Sequence, residues 1–157
     1  MSPQELPDAP SVAFYVLEEA STTARLKLVC RIADKAYRAG QQVLIWNPDA
    51  AELASLDELL WTFGDDRSFV PHELFASGAA PEAPVLLSAG PLPDGPIEVL
   101  VNLSQALPPC VGRALRVVEV VDGEERRREA ARARFKAYRE LGLKPQSHNL
   151  GGGEARS

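Results

Sequence analysis

Four basic side chains near the C-terminal end of the chain could bind an anionic ligand. Arg128, Arg132, Lys136 and Arg139 are spaced three or four residues apart, so on a helix they form one stripe within about 80°. Phe135 lies beside this stripe on the apolar side of the helix. An acidic peptide that ends in a hydrophobic residue would match both features. The alternative is a solvated helix face with ion pairs to neighbouring glutamates, and the residues alone leave both interpretations open.

Other reactive side chains give weaker indications. His72 could act as a general base with Asp65 or Asp66 in a small α/β hydrolase, but a histidine without an identified partner is more often structural. Cys30 falls on the apolar face of a predicted helix, where an inert buried thiol is expected, and Cys110 follows two prolines in a predicted loop. Neither cysteine has companions at metal-ligand spacing, and the adjacent carboxylates Asp65 and Asp66 are more typical of a solvated turn than of a metal site. We predict no metal and no cofactor.

Composition limits the class of protein. The chain has 157 residues, of which 45% are hydrophobic and 25% charged, and this favours one globular domain. Its net charge of -5 argues against direct binding of nucleic acid, which needs a broad cationic surface. Neither a signal peptide nor an apolar run of about 20 residues is evident, so we expect a cytoplasmic protein without a membrane partner.

Short apolar runs alternate with amphipathic stretches, as expected of strands alternating with helices. The predicted strands are 12–17, 42–46, 85–87, 97–101 and 115–121. The first predicted helix begins after Ser21, Thr22 or Thr23, any of which could cap it. The next begins after Asp49, as one helix or two short ones, and the last after Asp122, which with Glu125 has capping-box spacing. This order predicts a Rossmann-like α/β domain with a mostly parallel central sheet flanked by helices.

The first predicted turn does not have the sequence of a nucleotide site. The segment after the first strand, EEASTTA, contains no glycine, and no Walker A pattern occurs in the chain. We therefore predict a Rossmann-like fold without a nucleotide-binding glycine loop. The predicted organisation is a flexible leader at 1–11, a domain at 12–148 and a disordered Gly-rich tail at 149–157.

Two aromatic residues, Trp61 and Phe69, flank a predicted surface segment. Each could belong to the core or to an interface. A polar DDR at 65–67 is followed by SFVPH at 68–72, and we expect the chain here to run over the surface.

From about Ala13 to His148, the sequence resembles the chi-subunit family of bacterial DNA polymerase III holoenzymes. The segments that carry the resemblance are FYVL, KLVCRIADKAYRAGQQVLIW, LDELLWTFGDDRSFVPH, VLVNL, VVEVVDG and ARARFKAYRELG. The resemblance implies a non-catalytic accessory protein that bridges the single-stranded DNA-binding protein, through the acidic C-terminal tail of that protein, to the clamp loader through the psi subunit. It does not imply direct contact with DNA.

The resemblance also implies roles for particular residues. Arg132 and Lys136 would hold the tail carboxylates, with Arg128 and Arg139 on the same stripe and Phe135 in the apolar pocket, where family members commonly have tyrosine. A second surface would face psi, another clamp-loader component or a helicase of the XPD-like type. That second surface would include Trp61 and Phe69.

Overall fold

The structure, a computed structural model, describes residues 10–62, 70–76 and 81–150. Strands alternate with helices towards both ends of this part of the chain, as the apolar pattern predicts, whereas four consecutive strands in its middle have no described α-helix between them. Their bounds are β1 Ser11–Leu17, α1 Thr22–Arg38, β2 Val43–Trp46, α2 Ala50–Thr62, β3 His72–Leu74, β4 Val85–Ser88, β5 Ile97–Asn102, β6 Ala114–Val121, α3 Glu125–Glu140 and β7 Gln146–Leu150.

The strands form one seven-stranded sheet in the order β3-β4-β2-β5-β6-β1-β7. All neighbouring strands are parallel. The central strands β2, β5 and β6 are covered on both sides, which explains their nearly continuous apolar sequences. The prediction of a Rossmann-like domain with a mostly parallel sheet is confirmed.

Helices cover both faces of the sheet. Buried residues of α1 and α2 pack with one set of strand residues, whereas buried residues of α3 pack with another set. Cys30 is fully buried in the first cluster, as predicted, and burial raises the pKa of its thiol to about 12. Cys110 is buried in the second cluster. Both thiols are core residues of the described domain.

Two of the predicted helix caps are present and one is wrong. Ser21 accepts a hydrogen bond from the amide of Ala24, and Asp49 accepts from the amides of Ala51 and Glu52. α2 is one helix rather than two. The predicted cap of α3 at Asp122 is wrong, because the side chain of Glu124 caps that helix.

Two short strands were absent from the sequence prediction. The segment expected to run over the surface includes the fully buried Val70 and ends at His72, the first residue of β3. The three residues of β3 are too few to show an alternating pattern. Strand β7 includes Asn149 and Leu150, so the ordered chain passes the predicted domain end at 148. β7 is mostly exposed and polar, and pairing with β1 holds it in place. Residues 1–9 of the leader predicted at 1–11, the end of the tail at 151–157 and the residues Asp65, Asp66 and Phe69 lie outside the described residues.

Candidate anionic-peptide site on helix α3

A buried polar network attaches α3 to the sheet. Glu119, fully buried in β6, accepts hydrogen bonds from Arg134 at 3.0 Å, Tyr138 at 2.6 Å and Asn102 at 2.9 Å. Burial and the nearby Glu119 carboxylate raise the pKa of Tyr138, so its hydroxyl remains protonated and can donate. Because Arg134 and Tyr138 point inward, the basic stripe on the other side of α3 must point outward.

The first turn of α3 is fixed by two carboxylates. Asp122 accepts from Nε and Nη2 of Arg127 at 2.6 and 2.8 Å. Burial alone would raise the pKa of Asp122, but the bonds from Arg127 and from backbone amides outweigh it and lower that pKa. Glu124 accepts from the amides of Arg126 and Arg127, and these bonds lower the Glu124 pKa. The start of α3 therefore has a defined position above the carboxyl ends of the strands.

Three of the predicted site residues meet around one pocket, which we call the α3 pocket. Arg128, Arg132 and Phe135 line this cavity of about 190 Å³ between α3 and the β1–β7 edge. Its floor is mainly apolar and comes from two strands and the helix. The floor residues are Phe14, Val16, Val121 and Ala131, with Ser147 of β7 at the rim.

Aromatic packing shapes the floor of the α3 pocket. The ring of Phe135 lies 5.3 Å from the ring of Phe14, and Phe14 contacts Tyr138 edge to face at 5.8 Å. The sequence analysis did not assign Phe14 or Ser147 to the site. Alternation along β1 places Phe14 and Val16 on one face, but their position under α3 depends on the sheet order, which sequence periodicity does not give.

The cations around the pocket differ in how strongly they are held. Arg128 donates to the carbonyl oxygens of Leu17 at 3.1 Å and Asp122 at 3.4 Å. Among the described residues, the Arg132 guanidinium has only a 3.4 Å contact with Glu125. Both side chains are exposed, so a ligand carboxylate could replace Glu125.

The last two residues of the basic stripe lie beyond the α3 pocket. Lys136 and Arg139 are exposed on the same helix but do not line the pocket, and neither forms a salt bridge with a described residue. The structure thus groups Arg128, Arg132 and Phe135 and leaves two cations further along α3.

A second cavity lies at the carboxyl edge of the sheet, where Rossmann-like proteins commonly bind nucleotides. It measures about 320 Å³, and its lining includes Arg25, Asn47 and Glu52. Glu52 accepts from Arg25 at 2.9 Å and from Asn47 at 2.7 Å, while Arg25 also donates to the carbonyl of Leu103 at 2.8 Å. These polar groups therefore bond to one another.

The predicted second surface is partly described. Trp61, 57% exposed, lies at the end of α2, which covers the opposite face of the sheet from α3. Its ring centroid is 4.7 Å from that of His72. Phe69 lies outside the described residues, so its pairing with Trp61 stays a prediction.

His72 has a buried environment in the described structure. Its side chain is fully buried, with Nδ1 2.7 Å from the carbonyl oxygen of Val70 and Nε2 2.9 Å from Asp57 Oδ1. Both ring nitrogens therefore lie close to protein oxygens in a buried environment, although Nε2 is not aligned for a hydrogen bond with Asp57. The burial favours a structural role over general-base catalysis. Within the described ranges, no cluster of three or more His, Cys, Asp or Glu could hold a metal ion. No helix of those ranges is long and apolar enough to span a membrane.

Comparison with solved structures shows the fold. The chain is similar to a DEAD box protein from the hyperthermophile Methanococcus jannaschii, with a TM-score of 0.58 and 12% identity. The match covers 90% of this chain and 42% of that protein. At this identity the likeness extends to the fold alone.

Comparison of sequences shows the family. Residues 10–146 match the family described as DNA polymerase III chi subunit, HolC. The chain is 42% identical to DNA polymerase III subunit chi of Pseudomonas aeruginosa, covering 88% of this chain and 96% of that protein. It is 33% identical to the Escherichia coli protein of the same name, covering 85% and 93% respectively. It is 30% identical to the Haemophilus influenzae protein of that name, covering 91% and 99%. The chain therefore belongs to the chi-subunit family of DNA polymerase III, a family of replication accessory subunits.

Proposed function

We propose that this chain binds the acidic C-terminal tail of the single-stranded DNA-binding protein in the α3 pocket. Through that contact it tethers the polymerase III holoenzyme to coated single-stranded DNA, without contacting the DNA and without catalysing a reaction. Such an adaptor works in the bacterial cytoplasm. The observation that carries the proposal is the apolar α3 pocket with a weakly paired arginine, Arg132, at its rim.

The shape of the pocket favours one arrangement of the tail. A terminal hydrophobic side chain would contact Phe14 and Phe135, while the terminal carboxylate would accept from Arg128 and Arg132. Lys136 lies about 6 Å and Arg139 about 10 Å further along the helix axis than Arg132. These distances equal about two and three residues of extended peptide, so carboxylates upstream of the terminus would meet these cations.

A weak individual contact suits a tether. Many coating proteins on one DNA strand raise the effective concentration of tails, so a Kd of about 1 µM can support attachment. Because Lys136 and Arg139 are exposed, salt should screen their contribution and weaken binding.

Calorimetric titration with the C-terminal peptide of the host single-stranded DNA-binding protein tests the site. We expect Arg132→Ala and Lys136→Ala to weaken binding about tenfold each, because each removes a charge-assisted contact. Arg126→Ala is the matched control, since Arg126 is exposed on α3 and does not line the pocket. Equal loss in all three variants, or no binding by the folded wild type, would reject the α3 pocket as the tail site.

The second surface would connect the chain to the rest of its assembly. We propose that Trp61, together with Phe69, contacts psi or another clamp-loader component. The support is the exposed indole ring on the face of the sheet away from α3, which lets both partners bind at once. Trp61→Ala should abolish capture of clamp-loader components and leave tail binding unchanged.

The alternative partner for the Trp61 surface is a helicase of the XPD-like type. Affinity capture with the wild type and with Trp61→Ala separates the two assignments. Loss of clamp-loader proteins alone supports the replication adaptor, whereas loss of the helicase alone supports a repair adaptor. The hydrolase hypothesis centred on His72 is disfavoured by the burial of that ring.

A further inference from the structure

A second cation-lined cavity lies between helix α1 and the sheet, and we call it the α1 pocket. It has a volume of about 380 Å³, twice that of the α3 pocket. Residues of α1, β1, β6 and β7 line it. Phe14 lines the α3 pocket and Tyr15 lines the α1 pocket. Because successive strand residues point to opposite faces, the two pockets lie on opposite sides of the same β1–β7 edge.

The charged lining of the α1 pocket is entirely basic among the described residues. Arg31 and Lys35 are exposed one turn apart on α1, and Arg116 reaches the site from β6. The neighbouring acid of α1, Asp34, does not line the pocket and accepts a 2.9 Å bond from Arg38. An anionic ligand would therefore meet three cations without a lining carboxylate to repel it.

The floor of the α1 pocket is apolar. Leu28 is buried, and Ile32, Tyr15 and Leu150 are half-buried around the cavity. One face of the Tyr15 ring is stacked on His148, with centroids 5.2 Å apart, and Arg116 Nη2 lies 3.4 Å from the Tyr15 hydroxyl. Aliphatic walls and a ring already covered on one face suit an apolar side chain better than a row of stacked bases.

The geometry points to the α1 pocket as a second site for the same kind of peptide. We infer that it binds another copy of the acidic, hydrophobe-terminated tail, so that one chain holds two tails, one on each side of the β1–β7 edge. The inference relies on the proposed function for the source of the tail, and on charge complementarity and the apolar floor for its location.

The experiment is a titration of the full chain with the C-terminal peptide of the single-stranded DNA-binding protein, followed by backbone-amide NMR. We expect saturable shifts in two separate groups of amides, one around Ile32 and Leu150 and one around Phe135. Lys35→Glu should weaken the first group about tenfold or more and leave the second unchanged. Arg132→Ala should do the opposite.

Lys27→Glu is the matched control, because Lys27 is exposed on α1 outside the pocket and the variant has the same charge change. Shifts confined to the α3 pocket would overturn the second site and leave the proposed function intact. Shifts confined to the α1 pocket would instead overturn the proposed α3 site. A response around Ile32 to oligothymidylate but not to the peptide, or equal weakening by Lys27→Glu and Lys35→Glu, would also overturn the inference.

Discussion

Replacing Arg134 by methionine tests whether the buried network holds α3 in place. The substitution keeps most of the side-chain volume but leaves the fully buried carboxylate of Glu119 without its cation. Breaking a buried ion pair from one side costs about 3–5 kcal/mol. Because Tyr138 and Asn102 still donate to Glu119, we expect the free energy of unfolding to fall by about 3 kcal/mol. With a urea m-value of about 2 kcal/mol/M, the unfolding midpoint should fall by about 1.5 M.

The assay is urea unfolding followed by circular dichroism, with Arg126→Met as the control. That control removes an exposed arginine from the same helix and should change stability by less than about 0.5 kcal/mol. Combining Arg134→Met with Glu119→Leu removes both charges and should cost less than the sum of the two single changes. An Arg134→Met variant as stable as Arg126→Met, or strict additivity in the double variant, would refute the role of the network.

Three further changes test other parts of the structure. Because the pKa of Asp122 is lowered in the fold, Asp122 stabilises the protein above the unfolded pKa, and this contribution is lost as the pH falls below about 4. In an acid titration, the free energy of unfolding of Asp122→Asn should therefore fall less than that of the wild type. Gly123→Ala would place Cβ 2.2 Å from the carbonyl oxygen of Glu18, so we expect a loss of about 2 kcal/mol in urea unfolding, and wild-type stability would contradict this close approach. Cys30, with its pKa raised to about 12, should react with a disulfide reagent at neutral pH only as fast as the chain unfolds, and rapid reaction of the native protein would show that the thiol is accessible.

The elements with strong physical patterns could be predicted from sequence. The parallel strands β5 and β6 have nearly continuous apolar runs because helices cover both faces of the sheet. The stripe from Arg128 to Arg139 could be derived from helical spacing alone. In contrast, β7 is an exposed polar edge strand held by main-chain pairing, which leaves no pattern in its side chains.

The buried charges could be predicted less well. Arg25 and Arg134 are almost completely buried, although arginines are normally expected at the surface. One indication was available, since Glu119 stands between valines in the predicted strand VVEVV and a buried carboxylate needs a cation. Its partner could not be identified from spacing, because α3 contributes Arg134 only after crossing back over the sheet. The floor of the α3 pocket depends in the same way on the order of the strands.

The most direct test of the account is binding to single-stranded DNA coated with the full-length single-stranded DNA-binding protein. Association of the chain with immobilised coated DNA should be measured with the intact coating protein and with one lacking its C-terminal tail. The account predicts binding to the intact coat by the wild type and by Arg126→Ala, loss of binding when the tail is deleted, and weaker binding by Arg132→Ala. Equal binding to the intact and tail-less coats would contradict it, as would undiminished binding by Arg132→Ala.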